Sequence, residues 1–199
     1  MQNGGSLETY AEYFKNSEIL IGCDINEDCK KLKYNQNKIK VVVGDANSET
    51  AHNEISRIKN SFNFIIDDGS HVSVDIINSF IRYFPMVNPG GVYVIEDTCT
   101  IFSKNFGGGI LNEFSAYNFF KKLIDITNFQ WWSDSIKMDD YLSTFFLNGV
   151  PKFIAEGWID SIEFRNSIIK IKKAKKPGHD KLGARTIKGT EAIVVDLPR

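Results

Sequence analysis

The sequence predicts an α/β fold: a mostly parallel sheet with helices on both faces and an antiparallel hairpin near its C-terminal end. Three observations carry this. Short apolar, β-branched runs alternate with amphipathic stretches through the first half of the chain. Two of the runs end abruptly in acids, at Phe64-Ile65-Ile66-Asp67-Asp68-Gly69-Ser70-His71 and at Gly90-Gly91-Val92-Tyr93-Val94-Ile95-Glu96-Asp97. Apolar runs of this kind suit strands buried on both faces. Finally, residues 159–173 alternate around Arg165-Asn166, the pattern of a β-hairpin.

Taken in order, Ser6 is placed to cap a helix through about Phe14, with Leu7, Tyr10, Ala11 and Phe14 on one face. Ile19 to Cys23 reads as a strand ending at Asp24, and Ile39 to Val43 as another ending at Gly44-Asp45. A polar helix over 48–59 leads to the strand Phe62 to Ile66. Val74, Ile77, Phe80, Ile81 and Phe84 recur at three- and four-residue spacing and predict an amphipathic helix over 72–85. Pro89-Gly90-Gly91 stops the chain and turns it into a strand over 92–95. Phe106-Gly107-Gly108-Gly109 is a loop, either a lid or a plain turn, and 112–128 is helical. The five lysines between Lys170 and Lys176 read first as a solvated strand end and second as a contact for an anionic substrate. Residues 177–189 read as a loop and 192–195 as a last strand.

With 199 residues the chain suits one domain: a core over 3–105, an acceptor region over 98–150, and a hairpin and tail over 159–199. A net charge of −1 argues for neither disorder nor a polyanion partner. No apolar stretch approaches the roughly 20 residues that cross a bilayer. Cys23, Cys29 and Cys99 are odd in number and lack metal-ligand spacing, so they read as free thiols in a reducing cytoplasm. The front end is anomalous. A doubly wound sheet begins with a central strand followed by a glycine-rich turn. Asn3-Gly4-Gly5-Ser6 looks like that turn, with only Met1 and Gln2 ahead of it, so the first strand is expected to be missing and the domain N-terminally truncated.

In open α/β sheets ligands bind at the carboxyl ends of the strands. Acids and a histidine gathered there point to an oxygen-rich divalent-metal site with a base beside it. Asp24 is placed to accept hydrogen bonds from ribose hydroxyls, and helix capping is the plainer reading of the same residue. Asp45, just past the next strand, reads on its own as a cap or turn residue.

Gly4-Gly5-Ser6-Leu7 with Tyr13-Phe14, Gly22-Cys23-Asp24-Ile25, Val43-Gly44-Asp45-Ala46, Asp67-Asp68-Gly69-Ser70-His71 and Tyr93-Val94-Ile95-Glu96-Asp97 occur in order. As a set they resemble the class I S-adenosylmethionine-dependent methyltransferases, which are Rossmann-like. Within that class the chain is similar to the magnesium-dependent sugar O-methyltransferases of macrolide biosynthesis and to the cephalosporin-hydroxylase-like group. The resemblance implies S-adenosylmethionine and Mg²⁺ as cofactors and a hydroxyl of a sugar or glycosylated metabolite as acceptor. It implies Asp68, Glu96 and Asp97 as metal ligands and His71 as general base. Gly4, Gly5, Ser6, Asp24 and Asp45 would meet the cofactor. Asp67 would either orient His71 or touch the cofactor. It allows a homo-oligomer, with no nucleic-acid or membrane partner.

Tyr117, Phe119, Phe120, Trp131 and Trp132 divide between an acceptor pocket and plain core or dimer contacts. Two other functions compete. A nicotinamide-dependent oxidoreductase would use Asp24 but needs a Gly-x-Gly-x-x-Gly turn, which is not at 3–6. A truncated, non-catalytic module is the other. Methylation of nucleic acid lacks a basic face.

Overall fold

A computed structural model describes residues 4–180 and 188–189. It has the expected α/β architecture. Helix α1 (Gly5–Tyr13) leads to strand β1 (Leu20–Asp24), then β2 (Ile39–Val43), α2 (Glu49–Ile58), β3 (Phe62–Asp67), α3 (Ser73–Tyr83) and β4 (Val87–Ile95). Helix α4 (Ala116–Ile126) and the hairpin of β5 (Ile159–Arg165) and β6 (Ile168–Lys173) follow after several short helical turns. Among the described residues no helix is long and apolar enough to cross a membrane.

Among the described residues the strands form two sheets rather than one. β1 and β2 pair in parallel, and a four-stranded sheet runs β3-β4-β6-β5. Only β3 and β4 are parallel within it, because the hairpin adds antiparallel to β4, with Tyr93 opposite Ile171. The sheet is therefore mixed where a mostly parallel one was expected. Helices cover both faces of the first pair. Ile39 of β2 packs with Leu7 and Ala11 of α1 on one side. Val42 of the same strand packs with Ala51 and Ile55 of α2 on the other, since successive strand residues point to opposite faces.

Three boundaries differ from the sequence expectation, each for a local reason. Gly4 takes the cap position of α1 in a left-handed conformation, φ 73°, so Ser6 lies inside the helix. α4 starts at Ala116 because the Ser115 side chain accepts the Asn118 N–H at 3.3 Å and caps it there. β4 begins at Val87 rather than Val92. Pro89-Gly90-Gly91 forms a bulge inside the strand, and pairing jumps from Phe62–Val87 to Phe64–Val92. Gly91 is required there, since a Cβ would lie 2.7 Å from the Asn63 carbonyl oxygen. The glycines at 107–109 make a packed turn, with Gly108 N donating to Ser103 O at 2.9 Å and Gly109 N to Ile101 O at 2.8 Å. The strand expected over 192–195 lies outside the described residues.

The lysine run is a strand, not a patch. Lys170 and Lys172 point outward and pair with Glu163 and Asp160. Lys173 points inward and is only 7 % exposed. Its ammonium donates to Pro85 O at 2.8 Å and lies over the rings of Phe84 and Trp158. Burial pulls its pKa below the ordinary lysine value. The unfolded chain then binds more protons than the native one between the lowered pKa and the ordinary value near 10.4, so stability rises with pH across that window. Urea midpoints of the native chain are expected to climb toward about pH 10, and those of a Lys173→Met variant to lose that climb.

Candidate active site

β3 and β4 end side by side, with Asp67 opposite Ile95, so Asp68 and Glu96 both leave the sheet at the same edge. Chain connection sets the rest. Asp68 opens a short loop whose Ser70 hydroxyl donates to Asp75 at 2.5 Å and accepts the Val72 N–H at 3.3 Å, which leads His71 into the head of α3. His71 and Asp97 both hold left-handed backbone, with φ of 59° and 51°. Among the described residues the only other non-glycine with positive φ is Ser167, in the hairpin turn. Such conformations are uncommon outside glycine and cluster at functional sites. Thr100 ties the two together: its hydroxyl lies 3.0 Å from the carbonyl oxygens of both His71 and Asp97. Thr98 N donates to Ser167 O at 3.1 Å and fixes the same loop to the hairpin.

The side chains converge accordingly. Asp68, His71 and Asp97 each offer one ligand atom, all within 4.8 Å of one another. His71 Nε2 lies 3.8 Å from Asp68 Oδ1 and 4.0 Å from Asp97 Oδ2. The two carboxylates are largely solvent-exposed, while the imidazole is about three-quarters covered, with 24 % exposure. Glu96 stands outside this trio. Burial first, then the charges of Asp68 and Asp97, raise its pKa above the ordinary carboxylate value. The structure thus brings Asp68 and Asp97 together as the sequence suggested, and it puts His71 rather than Glu96 at ligand distance from both.

Asp67 turns away from this group. Its Oδ2 accepts the Tyr93 hydroxyl at 3.0 Å, and the same hydroxyl lies 3.3 Å from Ser79 Oγ in the core. Burial pushes the Asp67 carboxyl up, and the hydrogen bonds from Tyr93, Ser79 and Gly69 oppose the shift.

Of the residues expected at the cofactor, Asp24 and Asp45 lie at the ends of the first strand pair and Gly4, Gly5 and Ser6 at the start of α1. Asp24 closes β1 and accepts the Asn26 N–H at 2.9 Å, and Asp45, just past β2, accepts the Asn47 N–H at 2.8 Å. Gly4 is buried, and a Cβ there would meet the Tyr34 hydroxyl at 2.6 Å, whereas Gly5 and Ser6 face outward. Of the aromatic group, Phe119 and Phe120 are fully buried core. Trp131 is exposed, and Trp132 stacks edge-on against Phe129 and Tyr141. Sequence reasoning missed Thr100. Its spacing from Asp97 is a local signal, since Thr often bonds a carbonyl three residues back. The bond to His71 arises only from the fold.

No protein-family profile matches the chain. Individual relatives do. It is 38% identical over 105 residues to the mycinamicin VI 2''-O-methyltransferase of Micromonospora griseorubida, covering 53% of this chain and 25% of that protein. It is 27% identical over 177 residues to the 8-demethyl-8-alpha-L-rhamnosyl tetracenomycin-C 2'-O-methyltransferase of Streptomyces olivaceus, covering 88% and 43%. The crystal structure of MycE methyltransferase from the mycinamycin pathway, in complex with Mg and SAH, superposes with a TM-score of 0.70 at 27% identity over 89% of this chain and 42% of that one. The chain thus spans between a quarter and somewhat under half of the relatives it matches. In sequence and in fold it is similar to the sugar O-methyltransferases of antibiotic biosynthesis.

Proposed function

We propose that this chain carries the catalytic core of an O-methyltransferase that uses S-adenosylmethionine and Mg²⁺ to methylate a hydroxyl of a sugar or glycosylated metabolite. The observation that supports it best is the meeting of Asp68, His71 and Asp97 at the carboxyl edge of two parallel strands. The donor set suits the metal, because Mg²⁺ prefers hard oxygen ligands, takes few from protein and keeps positions for water or substrate. Asp68 and Asp97 would hold it, with Glu96 as the third expected ligand beside them. The carboxylates of Asp24 and Asp45 lie at the edge where a nucleoside would be received.

When bound, Mg²⁺ makes a hydroxyl more acidic and S-adenosylmethionine supplies an electrophilic sulfonium methyl. His71 takes the hydroxyl proton on Nε2, the nitrogen that faces both acids, and the two carboxylates stabilise the imidazolium that results. Thr100 keeps the imidazole in place by fixing the His71 backbone. The same proposal holds the chain to be part of a longer enzyme working in the cytoplasm, with a small-molecule or glycan acceptor and self-association through exposed aromatics.

Calorimetric titration with S-adenosylmethionine, with and without Mg²⁺, tests this. Saturable binding that Mg²⁺ strengthens, and that an Asp68→Ala variant loses for the metal, is the expected result. A folded chain that binds neither would favour the non-catalytic module, a reading that the separation of β1 from β3 supports.

A further inference from the structure

A cleft of about 550 Å³ lies between α2 and α3, lined by Asn47, His52, Asn78, Ile81 and Arg82. The two helices are tied together beside it. The Tyr83 hydroxyl donates to Ala46 O at 2.7 Å, and the His52 ring lies 5.5 Å from that of Tyr83. None of the lining residues is acidic, and Arg82 is a permanent cation. Two of these side chains hold a buried polar atom without a partner among the described residues, Asn47 Oδ1 and Arg82 Nε. A buried donor or acceptor left unpaired costs free energy, and native structures rarely keep one without a reason.

The other end of the Asn47 amide fixes which atom is left over. Nδ2 donates to Asp75 O at 3.2 Å, and a carbonyl oxygen can only accept. The cleft therefore brings together an unmet acceptor and an unmet cationic donor, both on side chains that a turn about their outer bonds would aim at a guest. Sulfate answers only the second. A phosphate ester with free hydroxyls answers both: its phosphate oxygens take the guanidinium, and a hydroxyl donates to Asn47. The volume falls within the roughly 300–1,000 Å³ of small-molecule sites and is more than a bare phosphate fills.

Asn47 also connects the cleft to the edge of the sheet. Its backbone N–H donates to Asp45 Oδ1 at 2.8 Å, and Asp75, which its side chain holds, accepts the Ser70 hydroxyl through Oδ2. A guest that grips Asn47 thus reaches the loop presenting Asp68 and His71 through two hydrogen bonds.

We propose that the cleft between α2 and α3 is a regulatory site for a small phosphate ester bearing free hydroxyls, felt at the Asp68–His71 loop through Asn47, Asp75 and Ser70. Binding there is independent of methyl transfer.

Calorimetry with glucose 6-phosphate as the probe, without S-adenosylmethionine or Mg²⁺, tests the site. One probe per chain is expected, with inorganic phosphate and sulfate weaker and glucose silent. Arg82→Met should lower affinity about tenfold or more, as loss of a charge-assisted hydrogen bond does. Arg82→Lys, which keeps the charge but not the fork, should fall between the two. Arg57→Met, at an exposed position of α2 outside the cleft, should change nothing. At saturating probe, backbone hydrogen exchange over 69–72 should slow about threefold in the native chain and stay unchanged in the Arg82→Met variant. No saturable binding by a folded chain, sulfate binding as tightly as the ester, equal affinity of the native and Arg82→Met chains, equal loss in both arginine-to-methionine variants, or unchanged exchange over 69–72 would each overturn the proposal. Because neither cofactor is present, failure here leaves the methyl-transfer reading standing, and the titration with S-adenosylmethionine can fail without touching this result.

Discussion

Methyl transfer is expected to fall by about 10²–10⁴-fold in a His71→Asn variant, the range general bases contribute. Asn is the informative replacement. It tolerates the left-handed backbone that His71 occupies, at φ 59°, so the loop keeps its shape. It has no imidazole nitrogen to take a proton at neutral pH. Binding separates two roles the geometry allows, since Nε2 lies close enough to Asp68 and Asp97 that all three could meet one cation. If the imidazole serves as the base, Mn²⁺ affinity followed by paramagnetic resonance changes little while turnover collapses. If it serves chiefly as a ligand, affinity falls with turnover, and Asp97→Asn shows the same pair of losses. Unchanged turnover in the His71 variant would remove the histidine from the mechanism.

Phe80→Ala is expected to cost about 3–5 kcal/mol, the usual range for a buried Phe. Phe80 is fully buried, and its ring centroid lies within 6.0 Å of those of Phe84, Tyr93, Phe119, Phe120 and Phe153. It is the point where α3, α4 and the four-stranded sheet meet, so the cavity would open toward three elements at once. At about 2–4 °C per kcal/mol for a chain of this size, Tm should drop by about 6–20 °C. Phe80→Leu keeps most of the volume and should cost less. A drop of under 3 °C for the alanine variant would mean that the core closes around the missing ring, and that α3 does not depend on it to hold His71.

The periodic parts of this fold were legible in the sequence. Ile39 to Val43 forms a strand with the expected ends, α3 lies within the stretch marked by its apolar spacing, and the hairpin turns at Asn166-Ser167 as alternation around Arg165-Asn166 implied. These signals are local, and local propensity and burial agree there. What failed to show depends on neighbours distant in sequence. Pro89-Gly90-Gly91 reads as a stop, yet β4 continues through it because Asn63 of β3 accommodates the bulge. Lys173 looks like its solvated neighbours, but strand alternation and the carbonyl of Pro85 turn it inward. At the site, the acids' place at the strand ends was readable from the abrupt change of residue type. The inward turn of Asp67 toward Tyr93, and the approach of His71 to both carboxylates, depend on backbone conformations that residue type does not announce.

The bond from Thr98 N to Ser167 O has a kinetic consequence. β4 and β6 pair residues about 80 positions apart, such as Val92 with Lys172. Long-range pairing of this kind is slow, because loop closure must precede the contacts that reward it. The loop bearing Asp97 is therefore pinned only once the hairpin has docked. On refolding from urea, helical signal should return before divalent-cation binding does. A ribosome-bound chain that has not yet released residues beyond 160 is therefore expected to lack the pinned Asp97 loop, and docking of the hairpin would time when a cation could bind there.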